Sequence, residues 1–368
     1  MTSASHASVV ALGIVLATST IGFTQAPPNP ESIQKGEQVL ADARKALGGD
    51  KLAQVKSLVA SGRTKRIRGN NLVPIEFEML IELPDKYVRI DEFPAENTDP
   101  TSTGFNGDNL IQIPPPQEMA AGRGTAAGAA PPAPAGLPAA ESRAAPPAGA
   151  TPSAAATPPS AATPGLVPPG AMPGGRDPAM DPRRARVATV KQDYARLALG
   201  LFAASRAYPL TFSYAAVAEA PQGRADVLDA KGEGNFALRF FINSETRLPI
   251  MVSWTTPPTN VIVTVPGQPP PASVAPGAVV VAGPPAPPAG APKDDIDRYS
   301  KEVLALRTNA QATPVEHRLY FADYRDVDGL KLPFRLRRAI GTETTEETTF
   351  DRFRVNARID PRKFEPVK

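Results

Sequence analysis

Residues 75–83 read Ile75-Glu76-Phe77-Glu78-Met79-Leu80-Ile81-Glu82-Leu83, and their period decides the fold class. Apolar side chains fall at 75, 77, 79, 81 and 83, with Glu76, Glu78 and Glu82 between them. A period of two puts one apolar and one acidic face on an extended strand, whereas a helix would scatter both. Working outward, further extended segments are expected near 56–67, 86–93 and 108–113, and then near 210–218, 224–230, 236–243 and 248–255. Residues 261–265 are expected to extend the same sheet, and three strands near 315–324, 331–340 and 344–355 finish the chain. Phe236, Leu238, Phe240 and Ile242 share a face, as do Leu248, Ile250, Val252 and Trp254. Asn243-Ser244-Glu245-Thr246 and Asp328-Gly329 carry the turn chemistry that joins neighbouring strands. The sum is about eleven antiparallel strands. A meandering sheet of that size curls, and its apolar face needs cover.

Three amphipathic helices supply the cover. Asn29-Pro30-Glu31 offers a cap followed by proline at the first helical position, Ile33, Leu40, Ala43 and Leu47 follow at helical spacing, and Gly48-Gly49 ends the run. A second helix is expected over about 183–205, where Val187, Val190, Tyr194, Leu197 and Leu201 are spaced 3-4-3-4. A third covers about 295–307, with Ile296, Tyr299, Val303 and Leu306 on one side.

The chain has 368 residues, of which 44 are proline, and 28 of those prolines lie in two tracts. Residues 114–182 hold 18 and residues 266–292 hold 10, the latter with no charged residue. Such stretches lack the large apolar groups needed to offset the entropy of ordering them, and both are read as disordered insertions. Residues 9–23, VVALGIVLATSTIGF, followed by Thr24-Gln25-Ala26, have the length and ending of a secretory signal, so residues 1–26 are expected to be cleaved near Ala26. The preceding MTSASHAS has no Lys or Arg, and the alternative is an N-terminal anchor in the inner membrane. Residues 27–368 are then a single β domain interrupted by the two insertions.

Forty Lys and Arg against 37 Asp and Glu give a net charge of +3, too small for a nucleic-acid binder that works through its field. The absence of cysteine excludes disulfides, thiolate metal sites and a cysteine nucleophile. Two histidines, His6 and His317, exclude a multi-histidine metal site, and His317 alternates with Val315 and Leu319 as a semi-buried residue would. Asp323, Asp326 and Asp328 before Gly329 suggest a calcium loop, but Tyr324 and Arg335 stand where oxygen ligands are required, so a polar turn is expected. Gly232-Glu233-Gly234 lacks a third glycine for a dinucleotide fingerprint. Lys65, Arg66 and Arg68 read as a solvated hairpin end. No catalytic residue, metal ligand or cofactor is assigned.

Several local patterns, taken in order, form a resemblance. Ala46-Leu47-Gly48-Gly49 with Lys51-Leu52 and Val55-Lys56-Ser57-Leu58 is similar to the first helix and strand of the LolA-like outer-membrane lipoprotein-sorting superfamily. Phe241-Ile242-Asn243 with Thr246-Arg247-Leu248-Pro249, and Leu319-Tyr320-Phe321 through Asp328-Gly329-Leu330-Lys331-Leu332-Pro333, resemble two of its hairpins. Phe350-Asp351, Val355-Asn356, Ile359-Asp360 and Phe364-Glu365-Pro366 resemble its last strand and tail. The resemblance implies an unclosed β-barrel of about eleven strands with a helical lid, whose apolar cavity takes acyl chains. The Pro-rich insertions depart from the family pattern, and no ligand residue of the family aligns with a position here.

The expected function is a periplasmic, non-catalytic carrier or binder of an amphiphile, its partner a lipid or an acylated protein and not a nucleic acid. The alternative is an envelope regulatory or scaffold module that senses lipid or peptide with the same fold and meets an envelope protein through its Pro-rich segments. Alternation groups Phe77, Met79 and Ile81, then Leu238 and Phe240, then Val252 and Trp254, then Leu319 and Phe321, then Phe334 and Leu336, as the cavity face. Val190, Tyr194, Leu197 and Leu201 are the expected lid. A carrier keeps several hundred Å³ free there, whereas a closed core leaves no void much larger than a water.

Overall fold

The computed structural model describes residues 29–68, 71–96, 98–115, 181–220, 223–267 and 274–365. The expected signal segment and almost all of the first Pro-rich tract lie outside these residues. Asp181 apart, the described residues fall in one compact unit. In chain order, α1 (Pro30–Leu47) and the short α2 (Asp50–Ala53) precede β1 (Ser57–Arg68), β2 (Asn71–Glu82), β3 (Lys86–Glu92), β4 (Thr101–Asn106) and β5 (Asn109–Ile113). Then come α3 (Pro182–Phe202), β6 (Thr211–Ala220), β7 (Gly223–Lys231), β8 (Ala237–Asn243) and β9 (Pro249–Thr256). After β10 (Asn260–Thr264), β11 (Ala278–Ala282) and α4 (Lys293–Ala312), the chain ends on β12 (Val315–Val327), β13 (Leu330–Ile340), β14 (Glu343–Val355) and a 3₁₀ turn at Pro361–Phe364.

Twelve strands form one antiparallel sheet in the order β5-β4-β3-β2-β1-β14-β13-β12-β9-β8-β7-β6. The edges β5 and β6 do not pair with each other, so the sheet is curled but unclosed. Two meanders meet where β1 lies beside β14, and α3 leads from one edge strand to the other. The polypeptide is mainly β, as expected from its periods.

Three strands differ from expectation. β4 was not anticipated, because Thr101-Ser102-Thr103-Gly104-Phe105-Asn106 has a single large apolar residue and no visible alternation. β10 does not extend the main sheet. It pairs in parallel with β11 from Asn260↔Ala278 to Thr264↔Ala282, forming a separate two-stranded sheet. β11 lies inside the tract 266–292 that composition marks as disordered, and it uses that tract's β-branched run, Val279-Val280-Val281.

Local chemistry explains the helix ends. Asn29 Oδ1 accepts from the Ser32 amide at 2.7 Å, and Pro30 occupies the first turn. Gly48, at φ 145°, turns the chain out of α1, a conformation that L side chains rarely adopt. The core lies mainly on the concave face, under α1 and α3. A smaller apolar cluster on the other face joins Val59, Leu80, Val88 and Ile111 to Ile359 and Phe364 of the tail. Leu80 is thus buried on the opposite side from Met79 and Ile81, so β2 has apolar groups on both faces.

Candidate functional site: the concave face and its charged rim

Cross-strand register builds the site. Met79 faces Ala60 on β1 and Arg89 on β3, and Ile81 faces Tyr87. Across the sheet Phe321 faces Leu336, Leu319 faces Val252, and Val252 faces Phe240. The structure brings Phe77, Met79, Ile81, Leu238, Phe240, Val252, Trp254, Leu319, Phe321, Phe334 and Leu336 into one apolar cluster. Tyr194, Leu197 and Leu201 belong to the same cluster, and Val190 packs against it half-buried.

These side chains fill one another. None of the eleven sheet residues is more than 7% exposed. Phe350 lies edge-on to Phe77 at 5.5 Å and 4.6 Å from Phe353, while Tyr194 of α3 sits 5.0 Å from Tyr87 and 5.4 Å from Phe105. α3 is pressed so close that a Cβ on Gly200 would lie 2.0 Å from the Phe321 ring. A groove of about 580 Å³ lies elsewhere, between α1 and the β6–β7 edge, lined by Ile33, Glu37, Arg44, Phe212 and Asp229 among others.

α3 covers the concave face, and it lies deeper than a lid. Every residue from Tyr194 to Ala203 is buried, including those outside the 3-4-3-4 stripe. Arg196 is one of these. Its guanidinium lies 4.4 Å from the Trp254 ring and 4.9 Å from Phe236, bonds Asp193 at 2.7 Å, and leaves Nε without a partner. Burial lowers the Arg196 pKa, and Asp193 opposes this. Helix periodicity assigned this residue to no function.

The end of the concave face towards Trp254 is charged. Arg66 Nε meets Glu346 at 2.8 Å, Arg89 Nε meets Asp91 at 2.6 Å, and Arg89 lies 3.9 Å from Glu346. Buried Thr64 and Thr348 bond each other at 2.9 Å, and Arg89 also donates to Thr64 at 2.9 Å. Burial pushes the Glu346 carboxyl up, but Arg338, Arg89 and Arg66 together hold it below the usual carboxylate range. Arg66, expected at a solvated hairpin end, therefore turns inward. The signal was the alternation of β1, which puts residues 58, 60, 62, 64 and 66 on one face.

His317 is half-buried, stacks on Trp254 at 5.3 Å and meets Thr256 Oγ1 through Nε2 at 2.8 Å. Its pKa is lowered by burial first, and then by Arg196 and Arg338. In the aspartate-rich turn, Asp326 accepts from the Gly329 amide at 2.9 Å, and Asp323 pairs with Arg325.

The chain is similar to several solved structures. One, described as an outer membrane lipoprotein-sorting protein domain from Vibrio parahaemolyticus, is 7% identical with a TM-score of 0.40, over 90% of this chain and 97% of that one. A LolA superfamily protein from Nitrosomonas europaea is 8% identical with a TM-score of 0.38, again over 90% and 97%. A DUF1329 family protein from Desulfovibrio piger is 8% identical with a TM-score of 0.37, over the same shares. Likeness at that level says nothing about ligands. No family model and no curated protein matches the chain. Among the described residues, no helix is long and apolar enough to cross a membrane.

Proposed function

We propose that the protein is an exported, non-catalytic binder or carrier of an amphiphile, whose acyl chain inserts between α3 and the concave face. The observation that carries this reading is a continuous apolar face on an unclosed sheet, covered by a helix with few polar ties to the strands. Those ties include the Tyr324 hydroxyl donating to Gly200 O at 3.1 Å and Lys191 meeting Asp108, beside β5, at 2.7 Å. The remaining cover is largely apolar contact, which an acyl chain replaces at little net cost because both partners are equally hydrophobic. Each CH₂ buried beyond what α3 already covers adds about 0.8 kcal/mol.

Trp254, the only tryptophan, reports on occupancy from inside the cluster. Titration with fatty acyl ligands of increasing length is expected to change its emission saturably, with tighter binding for longer chains. Leu197→Asp is expected to weaken the effect, because it sets a carboxylate against the acyl chain. Unchanged emission together with no chain-length dependence by calorimetry would overturn the proposal. The packed state of the concave face favours a second reading, a regulatory or scaffold module with a closed core, and that outcome would select it.

A further inference from the structure

The rim holds one more cation than it holds anions. Arg66, Arg89, Arg196 and Arg338 stand against Asp91, Asp193 and Glu346, so the cluster carries one positive charge in excess. Each carboxylate is already engaged: Glu346 by Arg66, Asp91 by Arg89, and Asp193 by Arg196. Arg338 faces Glu346 in register and shares its charge with Arg66 and Arg89, but makes no direct ion pair among the described residues. Arg196 has a side chain only 9% exposed and an Nε with no acceptor. A buried guanidinium donor without a partner costs free energy, which a bound acceptor would recover.

The two groups converge. Arg196 packs on Trp254, Trp254 stacks on His317, and Arg338 lies across from Leu319, two residues along β12 from His317. The apolar floor begins at the same place. Leu319 is the cross-strand partner of Arg338, and Leu336 lies two residues from Arg338 on the same face. Cationic donors bordering a continuous apolar surface match a molecule that is anionic at one end and hydrocarbon at the other.

We propose that Arg196 and Arg338 bind the oxyanion head group, carboxylate or phosphate, of an amphiphile whose chain lies on the concave face. This rests on the acyl-binding reading above and adds the class of head group to it. Trp254 and His317 form the wall between head group and chain. Arg66, Arg89, Asp91 and Glu346 form a balanced network that holds the rim strands in place.

The experiment titrates the full chain at pH 7.5 with hexadecanoate, hexadecyl phosphate and hexadecanol, following Trp254 emission and heat, and with acetate and inorganic phosphate as tail-free controls. Hexadecanoate and hexadecyl phosphate are expected to bind roughly tenfold or more tightly than hexadecanol, the factor carried by a charge-assisted hydrogen bond. Arg338→Gln, at a half-buried position that tolerates substitution better than Arg196, is expected to abolish that preference and leave hexadecanol affinity within about twofold. Arg338→Lys is expected to restore part of it. Equal, saturable binding of acid and alcohol by the unaltered protein would overturn the head-group assignment and leave the acyl reading standing. A preference that survives Arg338→Gln would overturn the residue assignment. Inorganic phosphate binding as tightly as hexadecyl phosphate would replace the amphiphile by a free anion. Failure of all three long-chain probes would overturn both readings.

Discussion

α3 and α4 are near twins in length and opposites in depth. They span 21 and 20 residues, and each shows a single apolar stripe at helical spacing. In α3 the stripe is the least of it, since the whole C-terminal half is enclosed by the concave sheet and α1. In α4 only Ala310 is buried; Tyr299, Val303 and Leu306 are half-buried on the side facing β10–β11. Ile296 remains 46% exposed and Leu304 64%. A stripe reports which way a helix faces, and the depth of the surface it meets decides how much of it is removed from water. The curled sheet encloses α3, whereas two short parallel strands give α4 only a shelf.

The contrast breaks most readily at Leu201, fully buried on α3. Leu201→Ala is expected to destabilise the protein by about 2–5 kcal/mol in urea unfolding, the range for a cavity that cannot collapse. A cost below 1 kcal/mol would show α3 to be a loose cover after all.

Glu346→Gln tests the rim on which α3 borders. It is expected to cost about 1–3 kcal/mol at pH 7, less than a fully buried pair because Arg66 and Arg89 retain some solvent. The folded carboxyl sits below its ordinary value of 4.5. Its contribution is therefore complete above about pH 4.5 and is lost as pH falls through the folded pKa. Thermal melts from pH 7 to 3 should show a flatter acid limb in the variant, and an unchanged limb would remove Glu346 from the network.

Gly200→Ala sharpens the comparison at the point of closest approach. The added methyl meets the Phe321 ring, and overpacking of this kind costs about 1–3 kcal/mol. Phe321→Leu in the same background is expected to recover part of the loss, so that a double-mutant cycle gives a non-zero coupling. Additive costs would mean that helix and ring do not touch.

The smallest effect belongs to α4. Leu304→Ser removes an exposed side chain and is expected to change stability by no more than about 0.5 kcal/mol. A loss similar to that at Leu201 would mean that α4 is covered in solution, and the comparison would fail.

The sequence alone determined what depends on neighbours along the chain. The alternation of 75–83 made a strand, Asn29-Pro30 opened α1 and Gly48 ended it, Asp328-Gly329 turned β12 into β13, and the residues of the apolar face were legible because period two assigns each side chain to a side. Even the 3-4-3-4 stripe of α3 pointed to the right partner surface. Only the tertiary structure decided what depends on residues far apart. Arg66 turns inward because Glu346, 280 positions later, lies within reach to neutralise it, and no local pattern announces a counter-ion at that distance. Arg196 is buried because a curled sheet surrounds α3, which periodicity cannot convey. β4 exists because Val88 and Ile111 flank Gly104 in register, and β10 leaves the sheet because β11 offers it a partner in a tract that composition had set aside. Backbone pairing and charge compensation are properties of pairs, and a sequence read one window at a time contains only one member of each.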